Sequence, residues 1–551
     1  MWRNDVKTNR KQSLLALTIL VVVGIVFFLY WGNQKEVWFC DEIYTYESSN
    51  GFEQQWPATY TNIWMTGEDV EDFFSADSDS LSLKAISDRL YNDHVPLYFW
   101  LFRILSFFLF KGSGTIWIGL TLNLFFYLMI LVVGYKVFER LTGKPIMSAV
   151  AMVLTSVVNR LMLQQATTLR MYMMLLWAEM FLILGGLWIL KSLNKKKMSI
   201  WIFAYLYMVS VIGLLTHYHY WVFYAVTAAS FCIWLIILGL KASGVKGFWK
   251  AKEFRYVLAW IGNFVAALMT TIVLFPYCRW NLNRGKGQTA LHSMFDFSAK
   301  KSEQIIWGFE RLSATFWGER IPYMFGLFII FACIIGGAMI LYKQNAKKKV
   351  LGVILTVVSC LGYQVIVCFT MPDVWEERYL WGGFSIIAWC FAYCTIVLIE
   401  FICSLIKTDK TRKICSNLIC LLLSAVVLFC QVSIIDNGKG IVYLINEEKN
   451  VVLLEENKDI PWVVYGPTGG VYSYYDWLMA EKICFMSEDQ SDESVTALLE
   501  LQDEEKFILY CFEEYVPIVT ELFENKLNIN ITCEYLTQST NLKVYVCTIT
   551  E

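Results

Sequence analysis

SLLALTILVVVGIVFFLYWG, residues 13–32, is followed five residues later by WFCDEIYTY, residues 38–46. The first stretch is uncharged and about 20 residues long, the length an α-helix needs to cross a bilayer. It lacks a small-residue cleavage site, so it is expected to stay as an anchor rather than be removed as a signal peptide. The second stretch places two adjacent carboxylates, Asp41 and Glu42, just past that anchor. At the edge of an apolar chamber beside a membrane, a carboxylate can act as a general base or hold a cation. The plain alternative is a polar pair that starts a loop, and the rest of the chain has to decide between them.

Composition extends the membrane reading to most of the chain. Of 551 residues, 57% are hydrophobic and only 17% are charged, too few charges to cover the surface of a soluble protein of this size. Apolar runs at 13–32, 115–138, 147–166, 171–190, 200–216, 218–240, 256–276, 323–342, 350–371, 379–402 and 415–435 predict about eleven spans. The run 95–110 (VPLYFWLFRILSFFLF) is shorter and carries Arg103, which predicts a re-entrant or interfacial helix.

The net charge of −2 hides a segregation by sign. Lys and Arg cluster in the N-terminal segment (Arg3, Lys7, Arg10, Lys11) and in the short loops around Lys195, Lys250, Lys348 and Lys410. By the positive-inside rule these are cytoplasmic. Segment 33–95 instead holds 13 acidic and 3 basic residues, and 447–551 holds 21 acidic and 6 basic. Both read as external, so the N-terminus is expected in the cytoplasm and the C-terminal domain outside. The loop 276–322 is external by the same count yet carries 7 basic and 4 acidic residues, Arg279, Arg284, Lys286, Lys300 and Lys301 among them. It reads either as a solvated loop or as an attractor of an anionic ligand.

Two regions follow: a membrane domain over 1–435, with its first external loop at 33–112, and a soluble domain over 436–551. In the latter, strands are predicted at 460–465, 483–486, 506–511, 530–536 and 542–549, with acidic amphipathic helices between them, a small α/β domain. Its Gly466-Pro467-Thr468-Gly469-Gly470 turn lacks the GxGxxG spacing and the lysine of a phosphate loop. The 16 cysteines form no metal-type CxxC pair and read mainly as buried thiols, although external ones such as Cys511 and Cys547 could pair.

Polar groups near membrane depth are costly and tend to mark function. Four sets stand beside Asp41–Glu42, each at the predicted external end of an apolar run. They are Asp93-His94-Val95-Pro96-Leu97-Tyr98, Arg170-Met171-Tyr172, Thr216-His217-Tyr218-His219 and Glu376-Glu377-Arg378-Tyr379. Three of the four histidines fall in them. Taken singly, the histidines could belong to an interfacial aromatic belt, the arginines could be snorkelling anchors, and the glutamates could be solvated. Glu179, inside the fourth span, receives no role.

In order and topology, these elements resemble the GT-C superfamily of membrane glycosyltransferases. The nearest likeness is to the family 39 group of protein O-mannosyltransferases and aminoarabinose transferases, over about residues 1–400. Asp41–Glu42 after the first span, His94-Val95-Pro96-Leu97-Tyr98, Arg170-Met171-Tyr172, Thr216-His217-Tyr218 and Arg378-Tyr379-Leu380 carry the resemblance. Val95 stands where the family has a first proline, and Thr168 stands where an acidic residue often precedes the arginine. The metal or sugar contact made by that acid is therefore in question here.

The resemblance implies a polyprenyl-phosphate-linked sugar as donor, inverting transfer to an external lipid, glycan or protein acceptor, and no part for nucleic acid. It makes Asp41 the base and Glu42 its catalytic neighbour. Asp93, His94, Tyr98, Arg170, Tyr172, His217, Arg378 and Tyr379 become substrate contacts, with the cationic ones on the lipid phosphate. No cofactor is read from the residues, and a divalent metal stays open. The competing expectation is a transporter or lipid-linked-sugar flippase, against which stand the absence of an inverted repeat and the gathering of the polar sets at one face.

Overall fold

The computed structural model describes residues 10–35, 39–50, 62–75, 81–90, 94–193, 199–283, 288–289, 292–293, 299–318, 320–370, 376–436, 448–466, 473–487, 492–539 and 542–550. The first apolar run forms α1 (Arg10–Asn33). The acidic stretch after it folds into α2 (Cys40–Asn50), strand β1 (Trp64–Met65), α3 (Gly67–Phe74) and α4 (Leu83–Arg89). Thr66 and Asp69 start α3 with a reciprocal capping box, which satisfies backbone donors that the helix end leaves open.

α5 (Leu97–Leu109) is the short helix expected at 95–110. Its 13 residues span about 20 Å, less than the roughly 30 Å hydrocarbon core. Phe108 and Leu109 face outward while Tyr98, Phe99, Phe102 and Arg103 are buried. Arg103 thus turns into the protein, not to the membrane interface that the sequence suggested.

The bundle continues with α6 (Trp117–Thr142), α7 (Pro145–Met152), α8 (Arg160–Thr167), α9 (Tyr172–Ser192), α10 (Ile200–Thr216), α11 (Tyr218–Phe248) and α12 (Lys252–Leu274). After α13 (Cys278–Asn283) come the amphipathic α14 (Ala299–Trp317), then α15 (Tyr323–Lys343), α16 (Lys347–Thr370), α17 (Trp381–Ser404) and α18 (Asp409–Asp436). Among the described residues, nine helices are long and apolar enough to cross a membrane. The bent pair 145–157 and 160–167 passes the same test only when taken as one segment, and α10, at 17 residues, falls just short of that length. These eleven segments coincide with the eleven expected spans, and the chain is a multi-pass membrane protein.

The segment 145–167 departs from a straight rod. α7 runs into a π-turn over Val153–Val157, and the axis then bends by 60°. Asn159 restarts the helix, accepting the N–H groups of Leu161 and Met162. Its side chain also donates to Thr315 O at 3.1 Å, which fixes the bend to α14. The bend ends α8 beside residues 168–171, the approach to Arg170.

All five strands expected near the C-terminus are present: β2 (Trp462–Tyr465), β3 (Ile483–Met486), β4 (Lys506–Cys511), β5 (Asn530–Ser539) and β6 (Leu542–Thr550). The sheet order is β1-β3-β2-β4-β6-β5, with β3, β2 and β4 parallel and the remaining pairs antiparallel. The β1 edge comes from the first loop and went unseen in the sequence, since two residues carry no strand periodicity. Alternation along the buried strands serves two faces. Trp462 and Val464 join the core continuous with the membrane helices, while Val463 and Tyr465 face the helices on the far side.

Cys533 and Cys547 stand opposite each other on β5 and β6 and form a disulfide. Cys511, expected as a pairing candidate, is a buried free thiol instead.

The first loop is clamped to this sheet by more than β1. Trp64 Nε1 donates to Ala497 O at 2.9 Å, and Gly67 N donates to Ala480 O at 2.8 Å. A Cβ on Gly67 would lie 2.2 Å from the Leu478 carbonyl oxygen, a backbone atom that cannot swing aside. Gly67→Ala is therefore expected to part the loop from the sheet. Faster hydrogen exchange of β3 amides in the variant would register this, and unchanged β3 protection would contradict it.

Candidate active site

Four separate stretches of chain meet at Asp41: α2, the turn before α5, residues 168–171 ahead of α9, and the 3₁₀ turn Glu377–Tyr379 ahead of α17. Asp41 opens α2 with a side chain that keeps 23% of its exposure. Its Oδ2 lies 2.9 Å from Arg378 Nη1 and 4.0 Å from Arg170 Nη2. Two guanidinium groups on one partly open carboxylate are the dominant electrostatic feature of the site.

Arg170 is almost wholly buried, and each contact fixes its direction. Nη1 donates to Asp41 O at 2.8 Å and to Thr45 Oγ1 at 2.9 Å. Thr45, one turn along α2, donates in turn to Asp41 O at 3.0 Å. Nη2 lies 2.9 Å from His94 Nε2. A guanidinium can only donate, so His94 Nε2 accepts and the imidazole is neutral with its proton on Nδ1. His94 stacks on Phe99 of α5, which holds the ring in place. It is thus a partner of Arg170 here, not a third cation.

Arg378 lies over Phe39 at 4.8 Å and over Tyr379 at 5.4 Å, so aromatic faces flank its charge. Glu376 is 3.4 Å from its Nε. Its neighbour Glu377 pairs with Arg160 at 2.8 Å, which ties the 3₁₀ turn to α8.

Glu42 occupies a different position. It is fully buried and both its oxygens are engaged. Oε2 accepts from Phe39 N at 2.8 Å and pairs with Lys35 at 3.1 Å, while Oε1 accepts from Leu169 N at 2.7 Å. The carboxylate ties the end of α1, the start of α2 and the residue before Arg170 into one unit. Lys35 is itself buried. It is one of only three basic residues in the acidic segment 33–95, and that scarcity was the sequence signal that could have singled it out.

Aromatic and imidazole groups gather around Tyr379, the neighbour of Arg378. His217 ends α10 in an extended conformation, and its Nδ1 accepts from His219 N at 3.0 Å. The ring is therefore neutral, with Nε2–H as its donor. His217 and His219 stack at 4.8 Å, and Tyr379 lies 4.5 Å from His219. Tyr172 packs between His217 and Trp381.

One expected contact stands elsewhere and another is not among the described residues. Tyr98 is wholly buried, its hydroxyl donating to Asn123 Oδ1 at 3.3 Å, so it supports α5 and presents no surface. Asp93 lies outside the described residues, as do Arg284 and Lys286 of the 276–322 loop and most of the 466–470 turn. Lys301 of that loop is buried and bonds Ser293. Sequence reasoning passed over Thr45 and Phe39, although Thr45 stands at the i+4 position from Asp41, where helix geometry brings it alongside. Among the described residues, no three His, Cys, Asp or Glu side chains converge as a metal site.

A polytopic bundle, an α2-bearing first loop clamped to a C-terminal sheet, and polar residues gathered at one end make up a fold that a solved structure shares. The solved structure of ArnT from Cupriavidus metallidurans bound to undecaprenyl phosphate matches at TM-score 0.51 and 10% identity, over 96% of this chain and 97% of that one. The oligosaccharyltransferase AglB from Archaeoglobus fulgidus, in complex with an inhibitory peptide and a dolichol-phosphate, matches at TM-score 0.46 and 8% identity, over 97% and 74%. No family model and no curated protein sequence matches the chain.

Proposed function

We propose that this chain is a membrane glycosyltransferase that takes a sugar from a polyprenyl-phosphate donor and transfers it, with inversion, to an acceptor outside the cytoplasm. The observation that carries this reading is the placement of Asp41 Oδ2 between Arg378 and Arg170, on a carboxylate still partly open. A carboxylate can take a proton from an acceptor hydroxyl, and guanidiniums can stabilise the charge growing on a departing phosphate. The undecaprenyl phosphate held by the ArnT structure is the class of lipid such a pair would suit.

The chemistry balances as follows. The acceptor oxygen forms a bond to the anomeric carbon while its proton passes to Asp41. The bond from that carbon to the phosphate oxygen breaks on the opposite face of the sugar, and the electron pair leaves with the lipid phosphate. Base and leaving group therefore stand on opposite faces, and Arg378 cannot hold both at the distance it now keeps from Asp41. Donor binding draws Arg378 from Asp41 to the phosphate and frees the base. Arg170, fastened by Thr45, the Asp41 carbonyl and His94, stays in place. Glu42, with both oxygens engaged, positions α2 and does not react. Tyr172, His217 and Tyr379 contact the sugar or the acceptor.

Arg378→Lys keeps the charge but loses the planar fork that can reach two phosphate oxygens. Transfer is expected to fall roughly 10²–10³-fold, as when one transition-state donor is removed. Activity within twofold of the parent would remove Arg378 from the phosphate.

The N-terminus is assigned to the cytoplasm and the sheet domain to the outside. Lysines at one end of the bundle and the Cys533–Cys547 disulfide, which suits an oxidising compartment, both support this. Lys84, whose side chain is 86% exposed in the first loop, should then react with a membrane-impermeant amine reagent on intact cells. Reaction only after permeabilisation would reverse the topology and end the scheme.

A further inference from the structure

At the lysine-rich end of the bundle, far along the chain from Asp41, α6, α9, α16 and α17 part to leave a slot. It encloses a cavity of about 120 Å³. Gly134 to Leu141 on α6 and Met180 to Leu187 on α9 line it, which makes it about 10 Å deep at 1.5 Å per helical residue. Ile386 and Trp389 of α17 close the far wall, and nearly all of the lining is apolar.

The mouth is charged. Lys348 and Lys349, at the N-terminal end of α16, stand among the lining residues. Each reaches a helix-end carbonyl: Lys348 Nζ donates to Leu190 O at 3.3 Å, and Lys349 Nζ donates to Leu141 O at 2.9 Å. Lys252 donates to Ser192 O and Leu193 O on the same rim. An ammonium has three donors, so one carbonyl does not exhaust Lys348. The α16 N-terminus adds its own partial positive charge. Two acidic residues at this end, Glu139 and Glu400, are already paired, with Lys136 and Lys144.

The geometry points to a binding site for an anionic phospholipid, with one acyl chain in the slot and the phosphate on Lys348 and Lys349. An apolar slot alone would accept any lipid tail, and the lysine rim is what selects the anionic head group. This site is separate from the one around Asp41 and does not depend on its chemistry.

The test uses the full-length protein, purified in detergent and incubated with equal amounts of phosphatidylglycerol and phosphatidylcholine, then examined by native mass spectrometry. Phosphatidylglycerol is expected to be retained roughly tenfold over phosphatidylcholine, in line with the attraction of two lysines for an anionic lipid. The paired change Lys348→Gln and Lys349→Gln should bring the ratio near unity. Excess inorganic phosphate should leave the lipid bound, because it cannot fill the slot. Equal retention by the parent, a preference that survives the double change, or displacement by phosphate would each overturn the proposal. A photoreactive acyl chain on phosphatidylglycerol gives a second reading without any variant. Crosslinks should concentrate at 180–187 and 386–393, and crosslinks spread evenly over the lipid-facing helices would overturn it.

Discussion

Asp41→Asn should abolish transfer of sugar while leaving the protein folded. The amide keeps the size of the carboxylate and the backbone oxygen that Arg170 and Thr45 use, so the frame around α2 stands. Arg378 retains Phe39, Tyr379 and Glu376 as neighbours. What disappears is the capacity to take a proton. General base catalysis contributes about 10²–10⁴ in rate, and a loss of that order in kcat is expected, with a thermal midpoint close to the parent's. Because Arg378 no longer faces the Asp41 carboxylate, donor binding should be as tight or tighter. A loss that appears only as weaker donor binding would make Asp41 a binding residue, and unchanged turnover would remove it from the chemistry.

Glu42→Gln should act on stability first. The carboxylate accepts two backbone N–H groups and meets Lys35, all in a site closed to water. A glutamine offers one oxygen in place of two, and its amide N–H groups would face donors at Phe39 N or Lys35. Removing one partner of a buried ion pair costs about 3–5 kcal/mol, because the other charge stays buried. The variant should unfold at a clearly lower temperature, and the folded fraction should keep a substantial part of its turnover. If it instead unfolds like the parent and loses turnover as completely as Asp41→Asn, Glu42 is the base and the roles of the pair are exchanged.

The two carboxylates separate only in three dimensions. In the sequence they are neighbours with the same environment. In the fold, α2 turns Asp41 toward the open side, where Arg378 waits, and Glu42 inward beneath Leu169. The spans were legible because apolar runs of membrane length carry their own signal. The bend after Val157 was not, since Asn159-Arg160 interrupts the apolar run by only two residues and the π-turn before it has no signature of its own.

The strands of the C-terminal sheet could be read from their β-branched and aromatic runs. The contribution of β1 could not, because its place is set by partners more than 400 residues away, such as Ala497. Arg170, His217 and Arg378 were found as polar groups at helix ends. That His94 serves Arg170 as a neutral acceptor, and that Tyr98 is sealed against Asn123, depend on side-chain directions the sequence does not carry.

The central claim is that the polar chamber performs group transfer, not passage of a substrate. The direct measurement presents the purified protein in detergent with a polyprenyl-phosphate sugar labelled in the sugar, together with candidate lipid, glycan and protein acceptors, and follows where the label goes. The account predicts label covalently attached to an acceptor, with the anomeric configuration opposite to that of the donor, and free polyprenyl phosphate released in equal amount. No transfer to any acceptor, combined with donor moving intact across the bilayer when the protein is reconstituted in vesicles, would contradict it and establish a lipid-linked-sugar flippase.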